Sequence, residues 1–212
     1  GFNNIGAEKV LQNVEKYYKA NKPGLLGINL GKNMDSNEPI EDYASLFNIF
    51  HEKADYITLN LSSPNTPGLR ELQQKYNLEK LLEKFFNHKR NNSIDTPVFL
   101  KIDPDMSEVE LYDIADIVLR YSLDGVIISN TSTYRSDKLI SKKAYEEGGI
   151  SGFPIKERSN KLLKKFYILT KGKIPLIGVG GISNGKDAYE RILNGASLIQ
   201  LYTSLIYNGP SI

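Results

Sequence analysis

The run Asn60-Leu61-Ser62-Ser63-Pro64-Asn65-Thr66-Pro67-Gly68-Leu69-Arg70 gathers hydroxyls and amides at the end of the apolar stretch Tyr56-Ile57-Thr58-Leu59. Two prolines and a glycine hold it as a turn, so those side chains are presented at the carboxyl end of a strand. In parallel α/β folds that end is where catalytic groups sit. A plain polar turn between strand and helix has the same composition. Lys101 closes the apolar strand Val98-Phe99-Leu100 and needs a partner or a ligand if it is buried. Asn29, Asn60 and Asn130 stand at three strand ends. Each offers a donor and an acceptor, as recognition of a planar ligand rich in carbonyl and N–H groups requires.

Gly180-Gly181 follows another strand, and Ala196-Ser197 and Tyr202-Thr203 come one unit later. Barrels bind phosphate after their last two strands with such exposed backbone N–H groups and a hydroxyl. A tight packing turn is the competing reading of the glycines. A phosphate-bearing cofactor such as FMN, or a sugar phosphate, would satisfy the pattern. Lys101, if it points into the same mouth, can place positive charge beside a flavin ring.

These groups need elements to hold them. Val10, Leu11, Val14, Tyr17 and Tyr18 fall at helical spacing over residues 7 to 20, and Pro23-Gly24 ends that pattern. A strand is expected at 25 to 30, a helix at 41 to 53 and a strand from Tyr56. Another helix is expected near Leu78 to Phe86, then the strand 98 to 102. Ser107-Glu108-Val109-Glu110 is a capping box that opens the next helix. The strand 125 to 129 follows, then a polar connection of roughly twenty residues, long enough to be a lid or binding loop. A Lys-rich helix leads to the strand 175 to 179, and a helix stopping at Asn194-Gly195 leads to 196 to 201.

Six strands alternating with helices predict a parallel sheet. A doubly wound sheet and a (β/α)8 barrel both satisfy the pattern. A complete barrel has eight strands and typically about 250 residues, so six units read as a partial barrel in one domain spanning 1–212, with two strands expected ahead of Gly1. Lys plus Arg number 27 against 25 Asp plus Glu, interspersed along the helices, so no basic surface for nucleic acid is indicated. The chain has no cysteine and two histidines, His51 and His88, each in a charged helical setting. A thiolate site is excluded, and a histidine triad or zinc site is poorly supported.

Taken in order, eight segments resemble the class 2, quinone-dependent dihydroorotate dehydrogenases. They are Gly1-Phe2-Asn3-Asn4, Gly27 to Asn33, Asn60 to Arg70, Lys101 to Asp105, Ser129-Asn130-Thr131, Gly148 to Gly152, Gly178 to Ile182 and Gly195 to Thr203. The resemblance implies an FMN-dependent (β/α)8 TIM barrel that oxidises dihydroorotate to orotate in pyrimidine biosynthesis and passes electrons to quinone. By it Ser63 is the base, with Thr66 relaying the proton. Asn29, Asn60, Lys101, Ser129, Gly152, Gly181, Tyr202 and Thr203 match FMN contacts. Gly1, Phe2, Asn60, Asn65, Asn130 and Thr131 match substrate contacts, and no metal is implied. Class 1 members carry Cys where this chain has Ser63, which selects class 2.

The alternatives are another FMN barrel oxidoreductase, a catalytically silent piece of a barrel, and a non-flavin sugar-phosphate enzyme. By the resemblance, one flavin-binding lysine and a helical pair forming the quinone and membrane entrance precede Gly1. Membrane association would come through that segment; the Lys-, Asn- and Ile-rich composition fits a mitochondrial or a bacterial owner, and the mitochondrial inner membrane is the expectation preferred over a bacterial one. Asp103 departs from the family, which commonly has Ala there. An ion pair with Lys101 is expected, in competition with the flavin contact. An open six-stranded sheet would also leave unpaired edges and an uncovered inner face.

Overall fold

The computed structural model describes residues 4–20, 24–33, 36–137 and 139–212. Its elements are α1 (Ala7–Lys19), β1 (Gly27–Leu30), α2 (Pro39–Phe50), β2 (Tyr56–Asn60), α3 (Lys75–Asn91), β3 (Val98–Ile102), α4 (Glu108–Arg120), β4 (Gly125–Ile128), α5 (Lys156–Leu169), β5 (Leu176–Val179), α6 (Gly185–Leu193), β6 (Leu198–Gln200) and α7 (Thr203–Asn208). The strands pair in chain order from β1 to β6, and every pair is parallel. A doubly wound sheet reverses its strand order at a switch point, whereas this one does not. The architecture is six consecutive units of a (β/α)8 barrel.

Alternation along β3 shows how the strands are used. Val98, Leu100 and Ile102 are buried against the helices, while Phe99 and Lys101 stand half-buried on the opposite, inner face. The helices answer with Tyr43, Phe47 and Phe50 from α2, Leu78, Leu81, Leu82 and Phe85 from α3, and Ile114, Ile117 and Val118 from α4. That layer is the main core. The inner face is less well covered. Leu198 on β6 is 61 % exposed and Asn29 on β1 is exposed, as expected of the two strands that pair on one side only.

The capping box forms as expected: Ser107 N–H donates to Glu110 at 2.7 Å and Glu110 N–H to Ser107 Oγ at 3.3 Å. β1 begins two residues later than the apolar run, since Leu25 is 82 % exposed and adds no packing. α7 was not anticipated, because none of its six residues is buried and no helical stripe marks it. α6 inverts the usual pattern. It buries Asp187 and Arg191 and exposes Tyr189, Ile192 and Leu193.

Candidate active site

A cleft of about 750 Å³ opens at the carboxyl ends of the strands. Of the described residues expected to form a site, Ser63, Asn65, Lys101, Ser129, Asn130, Thr131, Gly152, Gly181, Tyr202 and Thr203 line it. Asn60 and Thr66 are buried and do not line it, Asn60 lying behind Asn130 as its hydrogen-bond partner, and Asn29 stands apart. Gly1 and Phe2 lie outside the described residues.

Strand register explains the exclusion of Asn29. Asn60 pairs with Lys101, Lys101 with Ile127, and Ile127 with Ile177, forming one inward-facing row across the sheet. Asn29 pairs with Thr58, two residues earlier on β2, and so belongs to the next row toward the amino ends. The three strand-end asparagines are therefore not equivalent, contrary to their look in the sequence.

Asn130 is held on every side. Its Nδ2 donates to Asn60 Oδ1 and to Ser62 Oγ, both at 3.0 Å, and its Oδ1 accepts from Thr131 N–H at 2.8 Å. Ser62, which sequence reasoning passed over, also donates to the Lys101 carbonyl at 2.7 Å and so ties the ends of β2, β3 and β4 together. Below it, fully buried Tyr43 donates to the Asn60 carbonyl at 2.8 Å. Ser63 Oγ accepts from Asn65 N–H at 3.3 Å and is 6 % exposed. Thr66 Oγ1, three residues on, is buried with no hydrogen-bond partner among the described residues.

The expected ion pair between Lys101 and Asp103 does not form. Asp103 instead meets Arg70 Nε at 2.5 Å and accepts from Asp105 N–H at 2.8 Å. Alternation alone would put Asp103 on the same face as Lys101, two residues before it, but β3 ends at Ile102, and the turn at Pro104 takes the Asp103 carboxylate to Arg70 instead. Burial pushes the Asp103 carboxyl up to about 6 against the pull of Asp105 N–H and Arg70. Among the described residues Lys101 has no carboxylate partner, and desolvation in the cleft wall lowers its pKa.

Asp105 organises the connection after β4. It accepts from Ser132 Oγ at 2.6 Å, Thr133 N–H at 2.7 Å and Arg158 at 3.0 Å. A two-residue bridge between Ser132 and Ile150 closes the neck of this long loop. Gly149 at that neck lies so close to the cleft that an added Cβ would stand 1.9 Å from Thr131 Oγ1. On the far wall, Gly181 adopts φ +74°, with Lys156 backbone where its Cβ would be. Thr203 Oγ1 donates to Ser151 Oγ at 2.9 Å beside it.

The free donors in this cleft are therefore an ammonium, hydroxyls and the backbone N–H groups of the glycine turn. That set suits a ligand with an electron-rich planar portion and a phosphate tail. A search by family finds the model described as "Dihydroorotate dehydrogenase" matching residues 1–212. A protein named dihydroorotate dehydrogenase (quinone) from Parvibaculum lavamentivorans is 45 % identical over 99 % of this chain and 59 % of its own length. One named dihydroorotate dehydrogenase (quinone), mitochondrial, from Oryza sativa subsp. japonica is 45 % identical over 90 % of this chain and 42 % of its own. The crystal structure of DHODH from Eimeria tenella in complex with ferulenol superposes with a TM-score of 0.89 at 37 % identity, covering 99 % of this chain and 62 % of that one. The chain thus spans less than two thirds of the length of these relatives. With its six barrel units and strand-end cleft matched from first residue to last, it belongs to the dihydroorotate dehydrogenase family.

Proposed function

We propose that the chain is the barrel portion of an FMN-dependent, quinone-linked dihydroorotate dehydrogenase, oxidising dihydroorotate to orotate in pyrimidine biosynthesis. The observation that carries this reading is that Ser63, the unpaired Lys101 and the Gly180–Gly181 turn face one cleft. Lys101, Ser129, Gly152, Gly181, Tyr202 and Thr203 would hold FMN. Asn60 would lie between cofactor and substrate, and Asn65, Asn130 and Thr131 would hold the substrate. FMN, when bound, supplies an acceptor for the hydride leaving carbon six of the substrate.

Ser63 takes the proton from carbon five. A serine hydroxyl is a weak base, so its oxygen needs support when it gains the proton and a route to lose it. Asn65 N–H, donating at 3.3 Å, favours negative charge on Ser63 Oγ. The buried, unpartnered Thr66 hydroxyl offers a hydrogen-bonding step toward a bridging water. Asn130, immobilised by three hydrogen bonds, fixes the wall against which a flat substrate would lie. Lys101 brings positive charge to the other ring's edge.

Quinone reduction would require the segment that the family carries ahead of this barrel portion. Membrane association, with the mitochondrial inner membrane preferred over a bacterial one, belongs to the same reading. Among the described residues no helix is long and apolar enough to cross a membrane.

An absorption spectrum of the full-length protein tests the proposal. Flavin bands that bleach on anaerobic addition of dihydroorotate are expected. The Ser63→Ala variant should keep the bands and lose on the order of 100-fold or more in the bleaching rate, the range for a removed general base. A colourless protein, or a variant that bleaches at the wild-type rate, overturns it.

A further inference from the structure

Arg191 occupies a core position on α6 that an apolar side chain normally fills. It is 1 % exposed, while its neighbours Ile192 and Leu193 face solvent. One guanidinium nitrogen donates to Ser159 Oγ at 2.8 Å and another to the carbonyl of Gly180. Both acceptors are neutral. Asp187, one turn earlier, is engaged by Lys156 at 2.6 Å and by Ser183 at 2.7 Å, and Glu190 by Lys156 at 3.2 Å. Among the described residues no carboxylate forms an ion pair with Arg191, and burial pushes its pKa down to about 10. Glu190 and Asp187, both engaged by Lys156, pull on it only through space, and a buried cation whose direct partners are neutral stays costly unless a further anion comes close.

The cleft is what lies within reach. The carbonyl of Gly180 and the N–H of Gly181 belong to one trans peptide group, so an oxygen turned to Arg191 turns the N–H the other way. Gly181 lines the cleft, and among the described residues its N–H has no hydrogen-bond acceptor. A hydrogen bond from a full cation polarises the peptide and strengthens that N–H as a donor.

We propose that Arg191 is the positioning residue of a phosphate site at the Gly180–Gly181 turn: it fixes the Gly180 carbonyl, presents the Gly181 N–H to the cleft, and has its charge balanced by the ligand's phosphate across a single peptide group. Naming that ligand as FMN rests on the function proposed above. The anion itself is inferred from the buried charge.

The test uses the full-length protein stripped of flavin, titrated by fluorescence quenching with FMN and with riboflavin, which lacks the phosphate. Arg191→Met, similar in length and apolar, should weaken FMN binding at least tenfold and leave riboflavin binding within twofold. Arg191→Lys, which keeps the charge but cannot serve both acceptors, should recover only part of the loss and stay several-fold weaker than wild type for FMN. Equal losses for both flavins, or none for FMN, overturn the proposal, because a merely structural residue does not distinguish them. Should the Met variant fail to fold, Arg191→Lys carries the comparison, since one ammonium cannot serve both acceptors as the guanidinium does and a several-fold loss confined to FMN is expected. Wild-type protein that binds neither flavin ends the flavin reading instead. The Arg191 proposal then stands if inorganic phosphate raises the melting temperature of the wild type and not of an Arg191 variant, and falls if both respond alike.

Discussion

Two glycines four residues apart should respond to the same substitution with opposite signs. At Gly181 a methyl group would stand 2.5 Å from Lys156 Cβ, 2.6 Å from its Cα and 2.9 Å from its backbone nitrogen. Two of those atoms are main chain at the start of α5, so no flexible side chain can swing aside. The φ of +74° adds about 1–2 kcal/mol of left-handed strain for any residue with a Cβ. Overpacking of this kind costs about 1–3 kcal/mol. Gly181→Ala is therefore expected to lose about 2–5 kcal/mol, and at about 2–4 °C per kcal/mol its melting temperature should fall by about 4–20 °C. At Gly185, in the first turn of α6, nothing lies within 4 Å of an added Cβ. Gly185→Ala should gain about 0.4–1 kcal/mol by restricting the unfolded chain, a rise of about 1–4 °C. Differential scanning calorimetry of the full-length variants, with and without FMN, reads both. A Gly181→Ala protein that melts within a degree of wild type would refute the close approach of turn and helix, and with it the geometry claimed for the phosphate end of the cleft.

Asp103 gives a pH signature. With its carboxyl raised to about 6 from an ordinary 3.8, the folded state holds a proton between those values that the unfolded state has released. Stability contributed at this site is therefore present below about pH 4 and falls by roughly 2–3 kcal/mol as pH rises through about 6. Urea titrations from pH 4 to 7 should show Asp103→Asn losing that slope relative to wild type, Arg70, Asp105 and Glu110 being unchanged in both; parallel slopes would count against it. Tyr43→Phe removes the hydrogen bond to the Asn60 carbonyl inside the core and should cost about 1–2 kcal/mol in urea, with no loss expected only if that carbonyl has a second donor. Asp105→Ala releases Ser132, Thr133 and Arg158 together, so limited proteolysis between 133 and 149 should speed up at least tenfold without loss of helical circular dichroism. Unchanged cleavage would mean that the Ser132–Ile150 bridge and the bonds from Arg135 to the Glu146 and Gly148 carbonyls hold the loop without Asp105.

What the sequence made legible was whatever depends on neighbours along the chain. Apolar runs marked all six strands, and helical spacing, a capping box or a stop signal marked six of the helices, since each of these is written in contiguous residues. The Ser63 turn stood out because its hydroxyls, amides and prolines are contiguous. Illegible were features decided by pairing at a distance. Asn29 falls a row short because β1 and β2 are in register at Thr58, which no local pattern encodes. Asp103 meets Arg70, thirty-three positions earlier, instead of the lysine beside it. Nothing in the sequence sets Arg191 apart from the charges on other helix surfaces, yet its helix is rotated to bury that charge and expose the aliphatics. A helix whose apolar residues are Tyr189, Ile192 and Leu193 gives no sign of that rotation until Ser159 and Gly180 are seen to need its donors.

Hydrogen-bond capacity separates the polar residues that build the wall from those left for a ligand. Asn130 has both amide hydrogens committed to protein partners and keeps only one lone pair of its Oδ1, and Ser62 is engaged on three sides. The amide nitrogen of Asn60, the ammonium of Lys101 and the N–H of Gly181 keep their capacity among the described residues. Asn60 and Lys101 are neighbours in register on β2 and β3, whereas Gly181 follows β5. Adjacent strands lie about 4.8 Å apart, so the open donors span about 10 Å from β3 to β5 and about 14 Å from β2. A ligand that satisfies both ends must carry its anion at one extremity and an electron-rich edge at the other across that length. A three-ring flavin with a ribityl phosphate tail has such a span, and a lone sugar phosphate does not, which is the physical ground for preferring the flavin among the phosphate-bearing ligands that the glycine turn by itself would admit.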